Sequence, residues 1–118
     1  MIRVTSKEKK IDKIIENYFL FFSKKRLDVL ESMFASNIQL IDWTANIKNK
    51  KNVLSFNKKI FKKFKKIKIS VIEKYYNSKK NSVACVLSIK LDKKKINVID
   101  LIYINSKFKI RKIVAFLR

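Results

Sequence analysis

Histidine, glycine and proline are all missing from this 118-residue chain, and Cys85 is its single cysteine. Each absence removes chemistry. Without histidine there is no imidazole base, no Ser-His-Asp triad and no histidine metal site. One cysteine makes neither an internal disulfide nor a thiolate zinc site. Without glycine there is no phosphate-cradling loop and no dinucleotide fingerprint. Any general acid or base is therefore Asp, Glu, Tyr, Lys or Cys85, and neither a metal nor a cofactor is expected. Acids are scarce as well: nine Asp and Glu stand against thirty Lys and Arg, a formal net charge of +21. No apolar run reaches the roughly 18–20 residues that cross a bilayer. The first residues, Met1 to Lys7, lack the apolar core of a secretory leader, so a cytoplasmic setting is the expectation.

What is present is enough for a core. Hydrophobic residues make up 47% of the chain, which argues for one folded domain over residues 1–118 and against disorder. The basic excess has two readings. A positive field attracts anionic partners. Yet only Arg3, Arg26, Arg111 and Arg118 are arginine, the residue that nucleic-acid surfaces favour for bidentate contacts. Lys, Ile, Asn and Phe have A/T-rich codons, whereas the missing Gly and Pro have G/C-rich ones. Codon bias accounts for the profile, and nucleic acid is not the expected partner.

Periodicity sets out the elements. Thr5 and Glu8 have capping-box spacing, and Ile11, Ile14, Ile15, Tyr18 and Phe22 recur at helical intervals. These predict a first helix over 6–23. A second, over 26–35, turns Leu27, Leu30, Met33 and Phe34 inward. Strand alternation follows at 37–43, then a loop that has room for a short strand. Asn49 or Asn52 caps a third helix over 50–66, with Val53, Phe56, Ile60, Phe64 and Ile67 on its apolar face. Four period-2 segments, 67–76, 82–91, 95–104 and 108–117, are joined by short polar turns and predict an antiparallel meander. The third helix carries Lys58, Lys59, Lys62, Lys63, Lys65 and Lys66. Such a helix either lies on an anionic surface or nucleic acid, or covers the sheet with lysines on its solvent face. The apolar strands downstream favour the second reading.

Two of the few acids are out of place. Asp42 shares the parity of Ile38 and Leu40, and Asp100 that of Ile96, Val98, Ile102 and Ile104. A carboxylate on an apolar strand face needs a partner or a purpose. Cys85, in a similar strand, reads as a small core residue.

The segments Ile14-Ile15-Glu16-Asn17-Tyr18, Leu27 to Ile38, Ile41-Asp42-Trp43, Val98 to Ile104 and Phe108 to Phe116, in this order of elements, resemble the nuclear transport factor 2-like superfamily. That group includes SnoaL-like polyketide cyclases and ketosteroid isomerases. The resemblance implies an α+β fold: a cone-shaped half-barrel of curved antiparallel sheet covered by three helices, in the order α-α-β-α-β-β-β-β. It implies that Tyr18 stands where ketosteroid isomerases carry a phenol donor, Asp42 where they carry the base, and Asp100 where they carry a protonated carboxyl donor. Trp43 departs from the proline that often follows the base. Trp43, Phe56, Ile102 and Phe116 are the expected substrate-binding residues. The implied activity is a cofactor-independent isomerase or cyclase that abstracts a proton beside the carbonyl of a small apolar or anionic ligand. Homodimerisation is implied too. The alternatives are a non-catalytic binding or dimeric association module, and a basic binder of nucleic acid or an anionic surface through the third helix.

Overall fold

The computed structural model describes residues 5–118, so the leader reading of the first residues falls mostly outside them. Among the described residues nine elements follow one another: α1 (Ser6–Ser23), α2 (Leu27–Met33), β1 (Phe34–Ile41), β2 (Asn46–Lys48), α3 (Lys50–Lys63), β3 (Ile67–Asn77), β4 (Ser82–Leu91), β5 (Lys94–Ile104) and β6 (Ile110–Leu117). Among the described residues no helix is long and apolar enough to cross a membrane.

Caps fix the helix starts. The Glu8 N–H donates to the Thr5 hydroxyl (3.1 Å) at α1, and the Asn52 N–H donates to the Asn49 side chain (3.1 Å) at α3. Each satisfies a donor that the first turn leaves without an intrahelical partner. α2 is shorter than the periodicity predicts. Phe34 and Ala35 leave the helix to open β1, where Phe34 is in register with Ile110 of β6.

The six strands form one sheet in the order β2-β1-β6-β5-β4-β3. The expected meander is there: β3, β4, β5 and β6 pair antiparallel in sequence. β1, however, lies parallel to β6, so the sheet is mixed rather than wholly antiparallel. Irregularities in register at Val71/Glu73 and Tyr103/Ile104 bend it, since an extra residue on one strand increases local twist. The sheet does not close, and β2 and β3 are its edges.

With no glycine available, the tight connections place Lys25, Asn49, Asn81, Asp92 and Phe108 at positive φ. Three of the five are Asn or Asp, the non-glycine residues that tolerate it best. The inner face of the sheet carries Cys85, Leu87, Val98, Ile102 and Ile113, all buried against Ile11, Ile15, Tyr18 and Phe19 of α1, Leu30 of α2, and Val53 and Phe61 of α3. Cys85 is thus the core residue that its strand predicts.

Candidate active site

One cavity of about 380 Å³ lies between the inner sheet face and the helices, and Tyr18, Asp42 and Asp100 all line it. Each comes from a different element. Its walls are mostly hydrocarbon: Phe19 and Phe22 of α1, Phe56 and Ile60 of α3, and Leu87 and Val98 of the sheet.

Asp100 sits mid-strand on β5. Its cross-strand partners are Cys85 and Ala115, and Val98 and Ile102 flank it on the same face. It is 8% exposed. Among the described residues it accepts no hydrogen bond from a side chain and joins no ion pair; the pairs present are Lys13–Glu16, Arg26–Asp28 and Lys74–Asp12. Burial in this apolar setting penalises the ionised form and pushes the carboxyl up to about 7. Near neutrality a large share of Asp100 is therefore an acid that can donate.

Tyr18 projects from the apolar stripe of α1 into a cluster of rings, with Phe19 at 5.3 Å, Phe22 at 5.9 Å and Phe34 at 6.1 Å between centroids. It is 5% exposed. Burial first, then the neighbouring Asp100 and Cys85, raise its phenol well above the ordinary value, so it keeps its proton and its role as donor. The Cys85 thiol is pushed up to about 12 by burial and by Asp100, so near neutrality it is a thiol and not the thiolate that nucleophilic attack requires.

Asp42 follows directly after β1, because its backbone already belongs to a turn: its N–H donates to the Ala45 carbonyl at 2.9 Å. One carboxylate oxygen, Oδ1, accepts from the Thr44 N–H (2.7 Å), the Thr44 hydroxyl (2.8 Å) and the Ala45 N–H (2.8 Å). These three donors fix the orientation of the group. Oδ2 has no hydrogen bond among the described residues and is the atom left for a ligand.

The predicted pocket residues divide. Trp43, 48% exposed, and Phe56 line the cavity. Ile102 and Phe116 do not. Ile102 shares the inward parity of Asp100 but is fully buried in the core beyond the cavity. Phe116 alternates with the inward Ala115 and Leu117, and so stands on the outer face of the sheet, 49% exposed.

One lining residue escaped the sequence reading. Asn57 of α3 is 1% exposed, and its Nδ2 has no hydrogen-bond partner among the described residues. The buried stripe of α3 is Val53, Asn57 and Phe61; of the predicted face Val53, Phe56, Ile60, Phe64 and Ile67, only Val53 lies on it, Phe56, Ile60 and Phe64 are half-buried beside it, and Ile67 opens β3. The i, i+4, i+8 spacing of Val53 and Phe61 about Asn57 was the available signal. At the rim stand two cations, Lys63 at the end of α3 and Lys94 at the start of β5.

No protein-family model matches the chain, and no curated protein does. Solved structures do. SalBIII, an epoxide hydrolase/cyclase-like enzyme with a role in pyran ring formation in the polyether salinomycin, is similar at a TM-score of 0.83 with 18% identity, over 94% of this chain and 92% of that one. A SnoaL-like protein of unknown function from Burkholderia thailandensis is similar at 0.82 with 11% identity, over 98% and 99%. A candidate ketosteroid isomerase from Kribbella flavida is similar at 0.78 with 11% identity, over 93% and 78%. At such identities the likeness is one of fold, and it agrees with the helices, the curved open sheet and the cavity described above. The chain has the nuclear transport factor 2-like fold, in the form shared by SnoaL-like and ketosteroid isomerase-like proteins.

Proposed function

We propose that the protein binds a small, largely apolar carbonyl compound in this cavity and abstracts a proton from the carbon beside the carbonyl. The observation that supports this most is the meeting of Tyr18, Asp42 and Asp100 on one hydrocarbon-walled cavity, with neither acid paired to any cation among the described residues. In this reading Asp42 Oδ2 takes the proton, with Oδ1 held by Thr44 and Ala45. The electron pair released moves to the carbonyl oxygen, forming an enolate. Tyr18 and protonated Asp100 donate to that oxygen. Donors aimed in advance at developing charge, in a site that excludes water, are the largest ordinary source of such catalysis. Return of the proton to another carbon completes an isomerisation; alternatively the enolate carbon attacks a second carbonyl, whose oxygen takes the proton held by Asp42, and a carbon ring closes. Lys63 and Lys94 at the rim favour a ligand with an anionic end.

The test is conversion of a β,γ-unsaturated cyclic ketone to its conjugated isomer, followed by ultraviolet absorbance. Asp42→Asn is expected to lower the rate by roughly 10²–10⁴-fold, the usual worth of a positioned base, with circular dichroism unchanged. Equal rates in the two proteins would remove Asp42 as the base.

A second reading, compatible with the first, rests on the outer sheet face. Phe116 and Leu101 stand there together with Val86, Ile99 and Val114, none of them fully buried. We propose that this face joins a second copy of the chain.

A further inference from the structure

Away from the cavity, six lysines surround a second concavity of about 550 Å³. They come from four stretches of chain: Lys24 and Lys25 after α1, Lys65 and Lys66 after α3, Lys68 near the start of β3 and Lys90 near the end of β4. None of the residues around this basin lines the first cavity. Asp92 is the one acid beside it, and its Oδ1 already accepts from the Lys66 N–H at 2.8 Å. That hydrogen bond first, and then the charges of Lys25 and Lys65, hold the Asp92 carboxyl below its usual value. The Lys25 ammonium donates to the Phe64 carbonyl, which ties the turn after α1 to the end of α3. None of the six lysines is in an ion pair among the described residues.

Such crowding opposes folding. Lys68 is directly opposite Lys90, and Lys90 is directly opposite Lys95 of β5. Like charges in register destabilise a sheet. The next row along the same face of the same strands is Ser70, Ser88 and Asn97. Asparagine is as open to an A/T-rich code as lysine, so codon bias does not explain why the charges gather at this end. Cations from distant parts of the chain, held together against their repulsion, match an anion that neutralises several of them at once. Lysine binds phosphate as a compact point charge. Among the described residues no aromatic side chain lines the basin, so nothing there stacks on a nucleobase. We infer that this basin binds a compact polyphosphate group, free or carried on a nucleotide, through its phosphate oxygens alone. The inference goes beyond the carbonyl chemistry and does not depend on it.

The test is isothermal titration calorimetry of the full chain at about 0.15 M salt, without divalent cations. The ligands are tripolyphosphate, orthophosphate, ATP and a ten-nucleotide oligoadenylate RNA. Tripolyphosphate is expected to bind at one site, roughly tenfold or more tighter than orthophosphate, and ATP within about threefold of it. Lys68→Gln with Lys90→Gln is expected to weaken tripolyphosphate binding by about tenfold or more, since two charge-assisted contacts are lost. The same double variant is expected to resist urea at least as well as the parent, because a like-charge pair is gone. Lys79→Gln with Lys80→Gln removes the same charge from exposed residues just beyond the other end of β3. A strand of this length spans roughly 35 Å, far beyond the screening distance, so affinity is expected to change by less than about twofold. Equal loss in the two double variants would mean a diffuse positive field rather than a site and would overturn the inference. So would the absence of saturable tripolyphosphate binding below about 1 mM. ATP binding far tighter than tripolyphosphate would overturn recognition through phosphates alone. RNA binding tighter than both would make the basin part of a nucleic-acid surface and end the case for a compact ligand.

Discussion

Replacing Asp100 by Asn removes the one acid that titrates inside the core while keeping its size and its capacity to donate. The structure gives the magnitude. The carboxyl is 8% exposed, with Cys85 and Ala115 across the sheet, and burial moves it from 3.8 to about 7. At ~1.4 kcal/mol per pH unit, that difference corresponds to about 4 kcal/mol, a large part of the ~6–18 kcal/mol expected for a chain of this length. The sign follows from proton counting. Between about pH 4 and 7 the folded chain holds the Asp100 proton and the unfolded chain has released it, so stability falls as pH rises through this window. The contribution is fully present below 3.8 and is lost once pH passes about 7. Asp100→Asn has no such titration. Subtracting its urea-unfolding free energy from that of the parent, pH by pH, cancels the repulsion among the lysines and every other shared ionisation. The difference is expected to fall by about 4 kcal/mol between pH 3.5 and 8, or ~15 °C in Tm. Tyr18 and Cys85, the groups whose titrations Asp100 influences, ionise above this range and do not blur it. A flat difference, or a ¹³C-carboxyl titration of Asp100 centred below about pH 5, would refute the argument and remove Asp100 as a neutral donor.

Two further perturbations address the scaffold. Asn49 caps α3 from a backbone at φ 70 and ψ 156, a region that glycine occupies freely and other residues enter at ~1–3 kcal/mol. Asn49→Gly is expected to gain about 1 kcal/mol, since strain is released and glycine gives up only a few tenths as a cap, while Asn49→Ala loses about 1 kcal/mol; chemical denaturation showing the same sign for both would contradict this. Phe116→Lys places a charge on the outer sheet face. Sedimentation velocity is expected to show a dimer for the parent and a monomer for the variant, and a monomeric parent at ~100 µM would end the dimer proposal.

Local signals carried most of the fold. α1 matches its predicted span of 6–23 because Thr5 caps it and one apolar stripe runs its length. β4 matches 82–91 because its alternation is bounded by turn residues on both sides. The errors lie where distant partners decide. Phe34 and Ala35 continue the helical pattern of α2, but Phe34 is drawn into β1 by its place beside Ile110. The parallel pairing of β1 with β6 was illegible for the same reason, since alternation shows which face is buried and not which strand lies alongside. Asp42 reads as a strand residue by parity, yet its own side chain takes the Thr44 and Ala45 donors and ends the strand. Asp100 and Tyr18 stood out as polar groups on apolar stripes. Asn57 did not, because a single asparagine in a helix crowded with lysine looks like one more solvated residue until Val53 and Phe61 are seen to bracket it.

The lysines themselves must be kept from the cavity for this site to work. A cation within about 4–6 Å of Asp100 would favour its ionised form and cost it the proton it needs to donate. The nearest danger in register is Lys74 of β3: it pairs with Cys85, and Cys85 pairs with Asp100, so the three form one cross-strand row on the inner face. Lys74 already bears on the thiol, which its charge pulls downward against the larger effect of burial. Its ammonium is held instead by Asp12 of α1 in an ion pair. Of nine acids in a chain with thirty cations, one is thus spent at the edge of the sheet on the lysine that shares a row with Asp100. The row ends in Lys74 on one side and the apolar β6 neighbour Ala115 on the other, and it is this arrangement, a fixed cation at one end and hydrocarbon at the other, that lets a carboxyl keep a large share of its proton near neutrality inside a protein of charge +21.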